Sequence, residues 1–193
     1  MVEARKPYNI VAISGSLREK STNTAILRLA SELAPKDRVA SVEILSYKDV
    51  PIYDGDIEAA GIPDSVKAIA KKIAEADGIY ISTPENNYSI SAALKNIIDW
   101  VTRVQPNPFE KKPVAIASVA AGPSGGVRAQ DDVRKVLLYS NSIIMTSNTV
   151  AISANYLKFD QEANLTDEAS KKAIEAQVNA FVDWIDFTKK GTA

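Results

Sequence analysis

Residues 9–13, Asn-Ile-Val-Ala-Ile, run directly into Ser14-Gly15-Ser16-Leu17-Arg18-Glu19-Lys20-Ser21-Thr22-Asn23, and Thr24 opens a helical pattern. The apolar run reads as a strand buried on both faces, and Ile26, Leu29, Ala30 and Leu33 then fall at i, i+3, i+4 and i+7. A strand, a glycine turn and an amphipathic helix make the first βα unit. The same switch of period recurs along the chain. Strands are predicted at 9–13, 42–45, 78–82, 113–119 and 143–150. Helices are predicted around Val66, Ile69, Ala70 and Ile73, around Leu94, Ile97, Ile98 and Val101, around Val133, Val136 and Leu137, and from Ile174 through Val178, Phe181 and Val182 to Ile185. Five strands alternating with five helices predict an α/β doubly wound fold, because parallel neighbours need helical crossovers that cover both faces of the sheet. The periodicity leaves two arrangements open, a flavodoxin-like strand order 2-1-3-4-5 and half of a dinucleotide-binding fold.

The composition narrows the chemistry. The chain has 193 residues, no Cys and no His, and 23 basic against 24 acidic residues for a net charge of -1. This fits a single domain over residues 1–193, able to bury roughly 70% of its unfolded surface without disulfide or metal staples. Without His or Cys there is no Ser-His or Cys-His nucleophile, no thiol redox pair and no zinc site of the usual type. The balanced charge argues against a nucleic-acid partner. No apolar run reaches the ~20 residues of a membrane span, and residues 1–6 lack a signal-peptide core, so the expected location is the cytoplasm.

Three loops carry the candidate site. In the first, Ser16, Arg18, Ser21, Thr22 and Asn23, with Leu17 and Thr24, collect hydroxyls and a guanidinium at a helix N-terminus, which suits a phosphate. It is neither a Walker loop nor a Gly-x-Gly-x-x-Gly fingerprint, and it also fits a plain N-capped turn with Ser21 to Asn23 as cap candidates. In the second, Pro84, Glu85, Asn86, Asn87, Tyr88 and Ser89 form a polar turn with backbone amides free for the edge of a planar ring, or a hydrophilic loop in which Ser89 or Ser91 caps the next helix. In the third, Ser118, Gly122 and Gly125 belong to a small-residue loop that lets backbone approach a flat ligand, or that is merely flexible. In flavodoxin-like order the three loops emerge side by side at the switch point. One phosphate loop and two loops suited to a planar ring describe a mononucleotide site, and FMN is the mononucleotide with a wide ring and a redox function.

These residues resemble the NAD(P)H-dependent FMN reductase family, a flavodoxin-like group that includes azoreductases, chromate reductases and quinone reductases. Gly15, Ser16, Leu17, Arg18, Ser21 and Asn23 match its first motif; Pro84, Glu85, Asn87, Ser89, Leu94, Lys95, Asn96, Ile98, Asp99 and Trp100 match its second. The tract from Val50 to Asp56, the run Gly125-Gly126-Val127-Arg128-Ala129, and the pieces Phe159-Asp160 and Leu165-Thr166-Asp167-Glu168 extend the likeness over roughly residues 8 to 185. Asn86 stands where the family usually has Tyr, and Ser91 where it often has Pro. The resemblance implies FMN as cofactor, held at its phosphate by the first loop and along its ring by the other two. It further implies NADPH or NADH as co-substrate and a small-molecule electron acceptor: a quinone, azo compound, free flavin or metal oxyanion. No catalytic side chain and no metal are expected, and a homodimer or homotetramer is implied. The competing expectations are an FMN-binding electron carrier and a redox-sensing protein that docks on a partner.

Overall fold

A parallel sheet in the order β2-β1-β3-β4-β5 carries the chain. The computed structural model describes residues 6–191; residues 1–5, most of the stretch read above for a signal peptide, lie outside the described residues. The strands are β1 Tyr8–Ser14, β2 Val39–Ile44, β3 Gly78–Thr83, β4 Pro113–Val119, β5 Ile143–Ile144 and β6 Val150–Ile152. The helices are α1 Thr22–Leu33, α2 Gly55–Ala60, α3 Asp64–Glu75, α4 Ala92–Val101, α5 Val127–Leu138, α6 Asn155–Lys158 and α7 Glu168–Lys190. Every strand pair is parallel, so β1, β3 and β4 lie together at the centre with their carboxyl ends on one edge. This is the flavodoxin-like arrangement, and it decides between the two orders left open by periodicity.

The pleat explains the layering. Along β1, Ile10 and Ala12 face the cluster that contains Ile26, Leu27 and Ala30 of α1 and Ile174, Val178, Phe181, Val182 and Ile185 of α7. Val11 and Ile13 face the opposite cluster, made by Ile69 and Ile73 of α3, Leu94, Ile97 and Ile98 of α4, and Val133 and Leu137 of α5. Strand β4 is buried at all seven positions but unevenly: Ala115 and Ala117 meet the α7 side and Val114 and Ile116 the other. Small residues on one face leave room for the aromatic rings of α7. Strand β2 is half exposed, as an edge strand should be.

The sequence expectation of one strand over 143–150 is corrected. Two short strands share that position: β5 pairs with the start of β4 at Pro113 and Val114, and β6 with its end at Ala117, Ser118 and Val119. The intervening Thr146-Ser147-Asn148-Thr149 segment is polar and turns away from the ladder, with Asn148 at φ 51°. Two short helices, α2 and α6, carry too few residues to show a period. Trp100 is fully buried and donates its indole N–H to Pro51 O at 2.8 Å, so it packs within the chain. Among the described residues no helix is long and apolar enough to cross a membrane.

One buried polar clasp spans the layers. Gln177 of α7 accepts a hydrogen bond from the Tyr80 hydroxyl of β3 and donates to Ile116 O of β4 at 3.0 Å. Burial pushes the Tyr80 phenol well above its usual range, so it remains a neutral donor. Tyr80→Phe leaves the Gln177 carbonyl without that donor in a dry site and should lower stability by about 1–3 kcal/mol. Urea unfolding of the variant and the parent checks this.

Candidate functional site

The loops after β1, β3 and β4 enclose a cavity of about 660 Å³ at the carboxyl edge of the sheet, a size that suits a bound small molecule. The first loop supplies Gly15, Ser16, Leu17, Arg18, Ser21, Thr22 and Asn23 to its lining. Gly15 is required by close approach: a Cβ there would lie 2.8 Å from Pro84 Cδ and 3.2 Å from Thr83 Cα. The loop is fixed from β2's side as well, because the buried Tyr47 hydroxyl donates to Ser14 O. Ser21 caps α1, its hydroxyl accepting from the Thr24 N–H at 3.2 Å. Thr22 and Asn23, inside the first turn, have N–H groups with no acceptor in the helix. Together with the Ser16 and Thr22 hydroxyls and the Arg18 guanidinium, those N–H groups suit an anion.

Two residues of this loop serve differently from the expectation. Asn23 is buried, and its side chain bridges the sheet: Oδ1 accepts from Ser82 Oγ at 2.8 Å and Val119 N at 3.1 Å, while Nδ2 donates to Val119 O at 3.0 Å. It therefore offers the cavity mainly its backbone N–H. Thr24 does not line this cavity; its hydroxyl donates to Ser14 Oγ at 2.8 Å, and it faces a smaller cleft beside β2.

The second loop is a tight two-residue turn. Asn86 N donates to Ser89 O and Ser89 N to Asn86 O, both at 3.0 Å, and the central Asn87 and Tyr88 have φ of 50° and 66°. A β-turn with both central residues left-handed favours Asn or Gly, so Tyr88 is held against its preference. Arg128 stacks on its ring at 4.3 Å, and the Ser89 hydroxyl bonds Asp132. Pro84, Glu85 and Asn86 line the cavity, whereas Asn87, Tyr88 and Ser89 lie outside the lining, with Tyr88 72% exposed. The Glu85 carboxylate is almost buried and clasps the third loop. It takes hydrogen bonds from Arg128 Nη1 at 2.8 Å, the Arg128 N–H at 3.2 Å and Ser124 Oγ at 3.3 Å.

In the third loop Ser118 is buried, donating to Gly125 O at 2.6 Å and accepting from Gln130 Nε2 at 2.7 Å. Gly126, at φ 92°, packs on it so closely that a Cβ would sit 2.8 Å from Ser118 Cβ. Ser118, Gly122 and Gly125 thus do not line the cavity; Ala120 and Ala121 do, presenting backbone and methyl groups. Sequence reading also missed Ser91, Ala92, Ala93 and Asn155 in the lining. Ser91 caps α4 by accepting from Leu94 N at 3.2 Å and donates to Gly15 O at 2.6 Å, tying two site loops together. Asn155 arrives on α6, and no periodicity announces it.

A phosphate-suited helix N-terminus facing flat, small-residue walls across the switch point defines a flavodoxin-like mononucleotide site. The model of the NADPH-dependent FMN reductases matches residues 8–156. The chain is 36% identical over 91% of its length to an NAD(P)H-dependent FMN reductase of Pseudomonas aeruginosa, covering 94% of that protein. It is 35% identical to the quinone reductase of Escherichia coli K12 over 93% of this chain and 96% of that one. Among solved structures it matches FerB, the flavoenzyme NAD(P)H:(acceptor) oxidoreductase of Paracoccus denitrificans, with a TM-score of 0.83 and 30% identity, covering 94% of this chain and 98% of that one. The chain belongs to the NADPH-dependent FMN reductase family. It is an oxidoreductase whose cofactor is FMN and whose co-substrate is NAD(P)H.

The bridge made by Asn23 gives a test of how the site is held. Asn23→Ala strands the Val119 N–H and C=O and the Ser82 hydroxyl in a buried place and should cost about 2–3 kcal/mol of stability. Urea unfolding measures the loss.

Proposed function

We propose that this chain, as one flavodoxin-like domain over residues 1–193, is an NAD(P)H-dependent quinone reductase that holds FMN in the 660 Å³ cavity. The observation that carries the reading is the pairing of a cationic end, at Arg18 and the first turn of α1, with an end walled by Pro84, Asn86, Ala120 and Ala121 whose one carboxylate, Glu85, is already paired with Arg128. FMN has that same polarity, and when bound it supplies the hydride chemistry between nicotinamide and acceptor. The chain's own residues bind and orient. The Thr22 and Asn23 N–H groups, the Ser16 and Thr22 hydroxyls and Arg18 hold the phosphate. Ser21 holds the end of α1 in place, and Thr24 braces Ser14 beneath the loop.

Pro84, Glu85 and Asn86 line the ring from one side and the 118–125 loop from the other. Within these loops Asn87, Tyr88, Ser89, Ser118, Gly122 and Gly125 set backbone shape and access. No side chain is assigned to proton or group transfer.

The acceptor is read as a quinone because relatives at 35% and 37% identity carry that activity in their names, a quinone reductase of Escherichia coli and an NADPH:quinone oxidoreductase of Arabidopsis thaliana. Azo compounds, free flavins and metal oxyanions complete the proposed acceptor class. The balanced charge of -1 gives no support to nucleic acid as a partner. We further assign the enzyme to the cytoplasm as a homodimer or homotetramer, a state favoured by exposed Leu138, Tyr139 and Ile52.

Anaerobic titration of the FMN-loaded protein with NADH and with NADPH tests the reading. Bleaching of the flavin band that a quinone reverses is the expected result. Tight FMN binding with no bleaching by either donor points instead to an electron carrier or a redox-sensing docking protein. Arg18→Gln removes one charged phosphate contact and should raise the FMN Kd about tenfold, as charge-assisted hydrogen bonds are worth roughly 1.5–3 kcal/mol. Flavin fluorescence titration of the apoprotein reads that change.

A further inference from the structure

The described arginines fall into two groups. Arg38, Arg103, Arg128 and Arg134 each stand 3.9 Å or closer to a carboxylate. Arg18 and Arg28 have no carboxylate partner among the described residues, and both line one cleft of about 240 Å³ between the β1–α1 loop and the end of β2. Lys48, also without a carboxylate partner, lines the same cleft beside the hydroxyls of Ser46 and Thr24. Glu19 is the one carboxylate in its lining, so with Arg18 given to the FMN phosphate two cations, Arg28 and Lys48, still face one anion. Cations gathered this way repel one another until an anion joins them.

The cleft adjoins the FMN cavity, since Ser16, Leu17 and Arg18 line both. A molecule reaching from the flavin end past Arg18 enters it. The FMN phosphate is provided for by Arg18 and the N-terminus of α1, so Arg28 and Lys48 serve another anion. Arg28 and Lys48 are exposed, which suits a co-substrate that leaves in every turnover. The chain also lacks a Gly-x-Gly-x-x-Gly fingerprint with its usual discriminator of the two dinucleotides, so any such discrimination must be made elsewhere. A phosphate monoester is close to a dianion at neutral pH, and guanidinium forks match its oxygens.

We propose that Arg28 and Lys48, in the cleft beside Arg18, receive the 2′-phosphate of NADPH and so favour NADPH over NADH. This rests on the reductase reading above. The test uses the FMN-loaded enzyme and the double variant Arg28→Gln with Lys48→Gln, both exposed positions outside the FMN cavity. The KM for NADPH should rise about tenfold or more, as loss of a charge-assisted contact implies, while the KM for NADH and both kcat values stay put.

Calorimetry supplies a readout without turnover. Adenosine 2′,5′-bisphosphate should bind the parent about tenfold tighter than adenosine 5′-phosphate, and the variant should lose that advantage. Equal changes in KM for both donors, or none, overturn the assignment. So does inorganic phosphate binding as tightly as the bisphosphate, which marks an undiscriminating anion site. If neither donor bleaches the parent's flavin, the reductase reading fails on its own, and the calorimetry still decides whether the cleft selects a 2′-phosphate.

Discussion

The backbone ladder joining β1, β3 and β4 is the constraint on which the site depends. Parallel pairing brings Ser14, Ser82 and Ser118 to the same edge, and the chain must leave all three strands there in loops. Those loops cannot close against one another through sheet hydrogen bonds. They are joined instead by single side chains: Asn23 reaching Ser82 and Val119, Ser91 holding Gly15, and Glu85 gripping Ser124 and Arg128. The cavity is the space these ties leave.

The ties also sort the polar groups of the site. Side chains that bond protein atoms are buried, and burial makes an unpaired polar atom expensive. Asn23 and Ser118 are therefore largely committed to the protein, and what remains for a ligand is backbone N–H, the hydroxyls of Ser16 and Thr22, and Arg18. Backbone N–H groups, hydroxyls and a guanidinium can bind and orient a ligand, in a chain that contains no His and no Cys.

Much of this was legible beforehand. Apolar strands alternating with helical spacing led to the layers, because burial on both faces leaves a recognisable pattern. Ser21 and Ser91 stand at helix starts, where a short hydroxyl side chain satisfies an orphan N–H, and both are caps. The region of 118–125 was identified from its glycines, yet the lining falls to Ala120 and Ala121. Glycine marks where a backbone must turn or pack closely, as Gly126 does on Ser118, and the neighbouring residues then face the ligand. The single strand expected over 143–150 spans the polar Thr146 to Thr149, and the structure splits that position into β5 and β6, each paired with a different end of β4.

The order of residues alone determined the βα alternation, the capped starts of α1 and α4, the phosphate-suited first loop and the family motifs. These depend on neighbours a few positions apart, which local sterics and periodicity control. Tertiary structure alone decided which face of Asn23 meets the strands, that Asn155 joins Thr22 across 133 positions at 3.5 Å, and that Arg18 and Arg28 share a cleft with Lys48. Such meetings are set by how the layers pack, and side chains far apart in the chain carry no local signal of whom they will face.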